Sequence, residues 1–331
     1  MHVIAEAGNN HNGDVATARR LIDVAAEAGA DSVKFQVIHP EGLYLAQFPT
    51  ADGYRDNEVI AQRRRHMLSH AEYAELARHC RDRGIGFSAS VFDTDGVALL
   101  DDLDADYIKL ASCDLDNLRL VRAVAGTGRK VVLSTGMATP EEVERTLETL
   151  TGSGHRDLVL LHCVSVYPAA LEQMNLRFIE WLAATGFPVG LSDHTPTPAA
   201  ATIALALGAT WFEKHFTLDR TQEGFDHAYA REPEELAEYV ATLHAAEQAL
   251  TPAAEKVGPQ EREVAGRARR SVYAARDLEA GATLSDDDLL VVRPQGPLTA
   301  ADAERIVGRR LTQPLRRYEP LRWEILEDAR P

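Results

Sequence analysis

Cysteines and basic residues are scarce in this 331-residue sequence, and long apolar runs are absent. Cysteines occur only at positions 80, 113 and 163, with an odd count and no metal-type spacing, which argues against a disulfide framework or a cysteine zinc site. No apolar stretch approaches the roughly 18–20 residues of a membrane span. The chain opens on Val3-Ile4-Ala5 without a secretory leader pattern, so we expect a cytoplasmic protein that does not bind a membrane.

Charge is unevenly distributed along the chain. The sequence has 35 basic and 51 acidic residues and a net charge of −16, which argues against binding to nucleic acid or to an anionic membrane. Residues 256–331 hold 14 of the basic and 13 of the acidic residues, which leaves 21 and 38 in residues 1–255. An anionic substrate of the first part would therefore need a local cluster of cationic side chains.

Short apolar segments alternate with amphipathic helical segments over the first 250 residues or so. The predicted strands are residues 2–7, 32–37, 85–91, 105–111, 130–134, 157–163, 188–191 and 210–213. This alternation predicts an α/β fold, a (β/α)₈ TIM barrel, over residues 1–255. A doubly wound open sheet is the competing architecture, but it calls for a glycine-rich phosphate loop after the first strand, and Gly8 with Gly13 do not form that motif.

Two other regions differ from the barrel pattern. Residues 38–69 lack regular periodicity, which is typical of a lid or binding loop, and we interpret Arg63-Arg64-Arg65 within them as a solvated charge run. Residues 256–270 are polar and charged, which predicts a linker with weak helical character. Residues 271–331 form a small, loop-rich second domain with too little core to be stable without leaning on a larger body.

Polar side chains recur where the predicted strands end. They are Glu6, Lys34, Gln36, Ser90, Lys109, Ser112, Ser134, Ser165, Ser192, His194, Glu213 and His215. Barrel enzymes place their chemistry at this end of the barrel. Lysines that alternate with apolar residues, as Lys34 and Lys109 do, face the interior and need a partner or an anionic ligand there.

Two of these residues, His194 and His215, are candidate metal ligands. They lie 21 residues apart, each just beyond an apolar run, with an alanine-rich helix between them. A βαβ unit would bring both to the same end of a parallel sheet. Imidazole pairs suit Mn, Fe, Co or Zn, and the oxygen-bearing neighbours favour a harder ion over a structural zinc. The alternative is two ordinary histidines, one capping a loop and one half-buried.

Several segments together resemble the bacterial sialic acid synthase (N-acetylneuraminate synthase, NeuB) family. The matching segments are Ala5-Glu6-Ala7-Gly8-Asn9-Asn10-His11-Asn12-Gly13-Asp14, Val33-Lys34-Phe35-Gln36, Lys109-Leu110-Ala111-Ser112, Leu133-Ser134-Thr135-Gly136-Met137, Leu191-Ser192-Asp193-His194-Thr195, Glu213-Lys214-His215-Phe216-Thr217 and Gly224-Phe225-Asp226-His227. The tail is similar to the antifreeze-like (SAF) domain that follows the barrel in that family.

The resemblance implies an enzyme that condenses phosphoenolpyruvate with an open-chain aldose such as N-acetylmannosamine, releases phosphate and uses a divalent metal, most often Mn²⁺. It implies phosphoenolpyruvate binding by Lys34, Ser90, Lys109, Ser112, Ser134, Ser165 and Ser192. Glu6, Lys34 and Lys109 would be catalytic, and His194 with His215 would hold the metal. The residues implied for the sugar are Gln36, Asp114, Tyr167, Asp226 and Arg293.

Arg293 lies in the tail, so the resemblance also implies a domain-swapped homodimer in which each tail reaches the partner's barrel. Two other functions stay open at this point. One is a metal-dependent aldolase or isomerase on the same barrel, which needs a carbonyl-polarising ion but no phosphate pocket. The other is a sugar-binding protein that has lost the chemistry, although such a protein has no need of Glu6, Lys34, Lys109, His194 and His215 together.

Overall fold

The computed structural model describes residues 1–327 and divides the chain into two compact units, Met1–Thr251 and a second from Pro252 onward. The strands in chain order are β1 His2–Gly8, β2 Ser32–Val37, β3 Gln47–Thr50, β4 Gly53–Asp56, β5 Gly86–Val91, β6 Tyr107–Leu110, β7 Val131–Ser134, β8 Leu158–Cys163, β9 Val189–Asp193, β10 Trp211–His215, β11 Ser271–Ala274 and β12 Leu289–Val292. Eight of them close into a barrel in the order β1-β10-β9-β8-β7-β6-β5-β2, with every neighbouring pair parallel. The predicted TIM barrel is therefore confirmed, and an open sheet is excluded.

Helices follow the barrel strands and cover the outside of the sheet. In chain order the helices of both units are α1 Val15–Glu27, α2 Pro40–Leu43, α3 Glu58–Arg65, α4 His70–Arg83, α5 Thr94–Asp102, α6 Leu118–Gly126, α7 Pro140–Gly152, α8 Phe178–Ala183, α9 Ala199–Ala206, α10 Pro233–Leu250, α11 Pro259–Ala268 and α12 Ala303–Ile306. Local sequence sets their starts. Thr139 forms a capping box with Glu142 at the start of α7, with Pro140 at the first helical position, and Ser69 caps α4 in the same way.

Apolar side chains pack in two separate groups, one outside the barrel sheet and one inside it. The larger layer lies between the sheet and the outer helices. A smaller cluster fills the barrel interior toward the amino ends of the strands and consists of Ile4, Tyr107, Val132, Val159 and Leu161, with Trp211 packed against it. Because side chains alternate along a strand, the next inward positions lie one layer higher, and these are polar. The apolar cluster thus closes the bottom of a polar interior.

Residues 38–69 contain more regular structure than the sequence predicts. Helices α2 and α3 flank an antiparallel hairpin of β3 and β4. Every residue of both hairpin strands is exposed, so neither strand needs an apolar face and the sequence carries no alternation to reveal them. The interpretation of the arginine run as wholly solvated is wrong for Arg63, which is half-buried with its guanidinium 3.4 Å from the centre of the Phe225 ring.

The second unit has its own core and a small antiparallel pair, β11 with β12. Eleven buried apolar side chains form this core, among them Val272, Leu298, Ile306 and Leu321. The segment predicted as a linker contains α11, which buries none of its side chains. The last four residues of the predicted second domain lie outside the described residues.

The predictions made from the few cysteines and from the lack of long apolar runs can be compared with the described residues. Cys80, Cys113 and Cys163 are all free thiols. Within residues 1–327, no helix combines the length and apolarity that crossing a membrane requires.

At Gly190 in β9, the backbone of β10 and a side chain of β8 approach so closely that they leave no room for a Cβ atom. A Cβ at this position would lie 2.1 Å from the Trp211 carbonyl oxygen and 2.6 Å from Leu161 Cδ2. We expect Gly190→Ala to lower the free energy of unfolding by roughly 1–3 kcal/mol, because neither a backbone carbonyl nor a packed leucine yields without moving its strand.

The matched control is Gly152→Ala at the end of α7, where no atom lies within 4 Å of the added methyl group. That variant should be unchanged or more stable by up to about 1 kcal/mol. Urea unfolding of both variants checks the prediction, and equal stabilities would contradict it.

Candidate active site

A cavity of about 280 Å³ opens at the carboxyl ends of the barrel strands. Its lining residues are Glu6, Lys34, Gln36, Ser90, Phe92, Lys109, Ala111, Ser112, Cys113, Ser134, Met137, Cys163, Ser165, Tyr167, Ser192, His194, Glu213 and His215. The structure therefore brings together every residue predicted to bind phosphoenolpyruvate or a metal, along with Glu6, Gln36 and Tyr167. These residues are far apart in sequence, and closure of the barrel brings them together around one cavity.

Lys34 lies between two buried carboxylates at the floor of the cavity. Its Nζ is 2.6 Å from Glu6 Oε2 and 3.5 Å from Glu213 Oε2, and it donates a hydrogen bond of 2.8 Å to Ser90 Oγ. Burial disfavours the charged form of Lys34, but Glu213 and Glu6 outweigh that effect and raise its pKa. The lysine is charged, and it compensates two acids that would otherwise be costly to bury.

The two carboxylates beside Lys34 have different proton affinities. Burial and the negative charge of Glu213 raise the pKa of Glu6 to about 7, although Lys34 opposes this. Burial also disfavours ionisation of Glu213, but Lys109, Lys34 and a hydrogen bond of 2.7 Å from Ser192 Oγ lower its pKa to about 2. Paired acids whose pKa values are pushed apart in this way are suited to different tasks, one exchanging protons and one holding a fixed charge.

Lys109 is the second buried cation of the cavity. Its Nζ donates to Leu110 O at 2.9 Å and to Ser134 Oγ at 2.6 Å, and within residues 1–327 no carboxylate lies in ion-pairing distance of it. Burial lowers its pKa, with Glu213 acting in the opposite direction. An anionic ligand beside this amino group would favour its charged form, so Lys109 is a candidate contact for such a ligand.

Hydroxyl groups lie around this cation from neighbouring strand ends. Ser112 Oγ accepts a hydrogen bond of 3.0 Å from the Gly136 amide. A Cβ at Gly136 would lie 2.5 Å from Ser165 Oγ and 2.9 Å from Ser112 Oγ, so the absence of a side chain there lets both hydroxyls approach the same backbone turn. Ser134 contacts Lys109 directly, and Ser112 and Ser165 line the same cavity, so all three hydroxyls are potential hydrogen-bond donors to a ligand there.

His194 and His215 lie side by side at the cavity wall, with ring centres 5.6 Å apart. His194 Nδ1 donates to Val164 O at 2.7 Å, which leaves the lone pair of Nε2 available. His215 Nδ1 is buried and has no hydrogen-bond partner among the described residues, and burial lowers the pKa of His215 to about 4. The Tyr167 ring covers both, at 4.0 Å from His194 and 5.9 Å from His215.

A metal ion would find two imidazole ligands here and few others. No group of three or more His, Cys, Asp or Glu side chains in residues 1–327 is arranged to hold an ion. A two-imidazole site suits a catalytic ion whose remaining positions are filled by water or substrate. Burial opposes protonation of His194, but the Cys163 thiol and the Val164 carbonyl raise its pKa, so a proton competes with the ion for this ring.

The residues predicted to bind sugar are distributed differently. Gln36 donates to Glu6 Oε1 at 2.9 Å, and Gly8, at a φ of +53°, lets these two side chains and Asp226 meet: a Cβ on Gly8 would lie 2.8 Å from Asp226 Oδ2. That oxygen is buried without a partner among residues 1–327. Asp114 does not line the cavity and accepts from Asn117 Nδ2 at 2.9 Å, and Arg293 is exposed on the second unit.

Sequence reasoning assigned no function to Glu213, although the structure places its carboxylate against both Ser192 and Lys34. The signal was present, because Glu213 precedes His215 by two residues and therefore faces the same side of the strand. Cys163 and Met137 also line the cavity. They were missed because a thiol and an exposed methionine carry no charge pattern that indicates a site.

The proton on Glu6 gives stability a measurable pH dependence. Its folded-state pKa of about 7 lies above the unfolded value of 4.5, so its contribution is present at low pH and is lost as pH rises through 7. In metal-free protein, Glu6→Gln should gain about 2 kcal/mol of stability relative to wild type between pH 5.5 and pH 8.

The matched control is Glu72→Gln at the start of α4. Hydrogen bonds from Ser69 lower the pKa of Glu72, which is therefore ionised in both states above pH 5.5, so the difference between this variant and wild type should stay constant over the same interval. Denaturant unfolding at both pH values measures the two differences. A Glu6→Gln difference that does not change with pH would contradict the assignment of the proton.

Comparison with known proteins identifies the family. The NeuB family model matches residues 21–255 and the SAF domain model matches residues 269–327. An N,N'-diacetyllegionaminic acid synthase from Legionella pneumophila is 34% identical over 98% of this chain and 94% of its own. An N-acetylneuraminate-9-phosphate synthase from Drosophila melanogaster is 32% identical over 97% and 94%.

A solved structure agrees with these matches. The crystal structure of an N-acetylneuraminic acid synthetase from Leptospira borgpetersenii superposes with a TM-score of 0.70 at 33% identity, over 79% of this chain and 89% of that chain. The matches confirm the resemblance stated from the sequence, the SAF domain of the tail, and the prediction of an enzyme of the sialic acid synthase type. This chain belongs to the NeuB family.

Proposed function

We propose that this protein is a nonulosonic acid synthase that condenses phosphoenolpyruvate with the open-chain form of an aldose, such as N-acetylmannosamine, and releases phosphate. In this reaction the methylene carbon of phosphoenolpyruvate forms a bond to the aldehyde carbon of the sugar. Water adds to the resulting cationic C2, and cleavage of the C2–O bond then releases phosphate and leaves a 2-keto acid. The observation that carries the proposal is a buried lysine, Lys109, that has no carboxylate in ion-pairing distance within residues 1–327 and lies in the same cavity as two adjacent imidazoles.

Phosphoenolpyruvate fits this cavity by charge. It carries a phosphate and a carboxylate on a small frame, and both need charge-assisted donors in a confined space. Lys109 and the surrounding serines supply those donors. Lys34 is already paired with Glu6 and Glu213, so the ligand would share its charge with them. A low-dielectric cavity strengthens each of these contacts relative to water.

We propose a divalent ion, most suitably Mn²⁺, on His194 and His215. The free lone pair of His194 Nε2 and the neutral His215 ring fit such an ion. When bound, the ion would act as a Lewis acid toward the sugar aldehyde. The protein side chains would hold the ion and limit the access of bulk water to it. Tyr167 packs over the histidine rings, and the apolar cluster closes the cavity from below.

Glu6 is our candidate for the proton exchange. Its pKa of about 7 leaves a comparable population of acid and base near neutral pH, which is the condition for efficient general acid–base catalysis. Its two oxygens contact Lys34 and Gln36. Gln36 and Asp226 both lie near Glu6, so a sugar hydroxyl bound by these two would be held beside the group that moves the proton.

An assay with different sugars identifies the acceptor. Relatives are named for different products, N,N'-diacetyllegionaminic acid and N-acetylneuraminate-9-phosphate. A few pocket contacts, each worth about 1–3 kcal/mol, separate such sugars. The assay is therefore phosphoenolpyruvate and Mn²⁺ with a panel of six-carbon aldoses, read by phosphate release and by mass spectrometry of the keto acid.

The same assay tests the metal ligands. We expect His194→Ala and His215→Ala to stay folded but to lose bound Mn²⁺ and phosphate release together, because each removes one of two protein nitrogens. An aldolase would consume sugar without releasing phosphate, and a binding protein would form no product. Full activity with unchanged metal content in either variant would refute the metal site.

Lys109→Met tests the anion pocket. Methionine has a similar shape but no charge, so the Michaelis constant for phosphoenolpyruvate should rise by roughly tenfold to a hundredfold, with little change for the sugar. Lys130→Met, at the opposite end of the barrel where Lys130 pairs with Asp157, is the matched control and should behave as wild type. An unchanged constant in Lys109→Met would show that phosphate binds elsewhere.

We also propose a homodimer in which the tail of one subunit lends Arg293 to the sugar site of the other. Fully extended, residues 256–270 would span ~45 Å at about 3 Å per residue. Helix α11 shortens this span to about 30 Å, because helical residues advance only about 1.5 Å each. The exposed guanidinium of Arg293 is available for such a contact.

Subunit mixing tests this arrangement. Inactive His215→Ala and inactive Arg293→Ala subunits should regain activity as hybrids, since one barrel in each hybrid then has intact histidines and an intact arginine from its partner. Activity of the mixture and of each parent is measured at equal total protein. A monomeric wild type, or hybrids without recovered activity, would contradict the proposal.

A further inference from the structure

At their carboxyl ends, strands β9 and β10 pair two successive residues each, one pair facing the inside and one the outside of the barrel, and a histidine follows on each side. Ser192 is in register with Glu213, and Asp193 with Lys214. The first pair faces the cavity and is joined by a hydrogen bond of 2.7 Å. The next residues along both chains are His194 and His215, which face the cavity again. The Asp193–Lys214 pair is thus the outer link directly beneath the two histidines.

This outer pair is fully enclosed. Lys214 Nζ lies 3.0 Å from Asp193 Oδ2, and the two side chains are 3% and 0% exposed. On the outer side Nζ lies 5.1 Å from the centre of the Tyr239 ring on α10. The neighbouring strand residues Leu191 and Phe212 are also buried, and the charges of Arg231 and Glu235 lie near enough to affect the pKa of Lys214.

Both members of the pair also hold the turn that follows His194. Lys214 Nζ donates to Thr195 O at 2.6 Å. Asp193 Oδ1 accepts from the Thr195 amide at 2.8 Å and from Thr195 Oγ1 at 2.7 Å. Arg231 adds a hydrogen bond to Pro196 O. His194 therefore lies between Asp193, which is paired with Lys214 on the neighbouring strand, and Thr195, which is hydrogen-bonded to both of these side chains.

A buried ion pair of this kind is not needed for stability, because well-packed apolar residues of similar volume are often as stable or more so. The pair instead restrains geometry, because its contacts and its hydrogen bonds to Thr195 can form together only at one relative position of strands β9 and β10. We infer that Asp193 and Lys214 are positioning residues that fix the separation and orientation of His194 and His215, and thereby the affinity of that site for a divalent ion. This inference rests on the proposed metal site.

The test replaces the pair without leaving a buried charge. The double variant Asp193→Leu/Lys214→Met keeps an apolar contact in the layer, and Lys130→Met/Asp157→Leu removes a pair at the other end of the barrel. Mn²⁺ affinity of the full chain is measured by paramagnetic resonance of free Mn²⁺, and site geometry by the visible absorption of bound Co²⁺. Thermal unfolding of the metal-free proteins reports stability separately.

We expect the double variant to stay folded but to unfold at a lower temperature, because Thr195 loses its hydrogen bonds to both side chains. It should bind Mn²⁺ about 10–100-fold more weakly and show shifted Co²⁺ bands. The variant at the other end of the barrel should match wild type in affinity and spectrum. Wild-type affinity and an unchanged Co²⁺ spectrum in the double variant would overturn the inference while leaving the proposed site intact, provided that His194→Ala abolishes binding. A wild-type chain that binds neither ion overturns both.

Discussion

Charge compensation around Lys34 is the constraint on which the rest of the barrel interior depends. A lysine and two glutamates share one enclosed layer, and each would be unstable there alone. Lys109, Lys34 and the Ser192 hydroxyl lower the pKa of Glu213, whereas burial and the charge of Glu213 raise the pKa of Glu6 to about 7, so Glu6 is the acid that keeps its proton to near neutrality. Among the described residues the same arrangement leaves Lys109 without a carboxylate in ion-pairing distance, and the proposed anion site rests on this feature.

The apolar layer beneath this network explains why the polar groups are usable. Ile4, Tyr107, Val132, Val159 and Leu161 fill the barrel below, so water reaches the charged layer only from the carboxyl ends of the strands. Three strands change from apolar to polar between successive inward positions: Ile4 to Glu6 in β1, Tyr107 to Lys109 in β6, and Val132 to Ser134 in β7. The bottom of the barrel is therefore devoted to packing and the top to chemistry.

The sequence was sufficient for the barrel strands and for most of the cavity lining, because buried strands read as apolar runs and the cavity residues follow them. It was insufficient where a partner strand decides the outcome. The apolar run of β9 stops at Leu191, yet the strand continues through Asp193, since Ser192 and Asp193 find partners on β10. The exposed hairpin of β3 and β4 gave no alternation, and the burial of Arg63 depends on Phe225, distant in sequence.

Anomalous diffraction at the manganese edge, from crystals soaked with Mn²⁺ and phosphoenolpyruvate, tests the central claim most directly. The account predicts one anomalous peak within bonding distance of a ring nitrogen of both His194 and His215, with the phosphate of the ligand on the Lys109 Nζ side of the same cavity. A manganese peak that contacts neither histidine, or a ligand phosphate bound outside the barrel mouth, would contradict it.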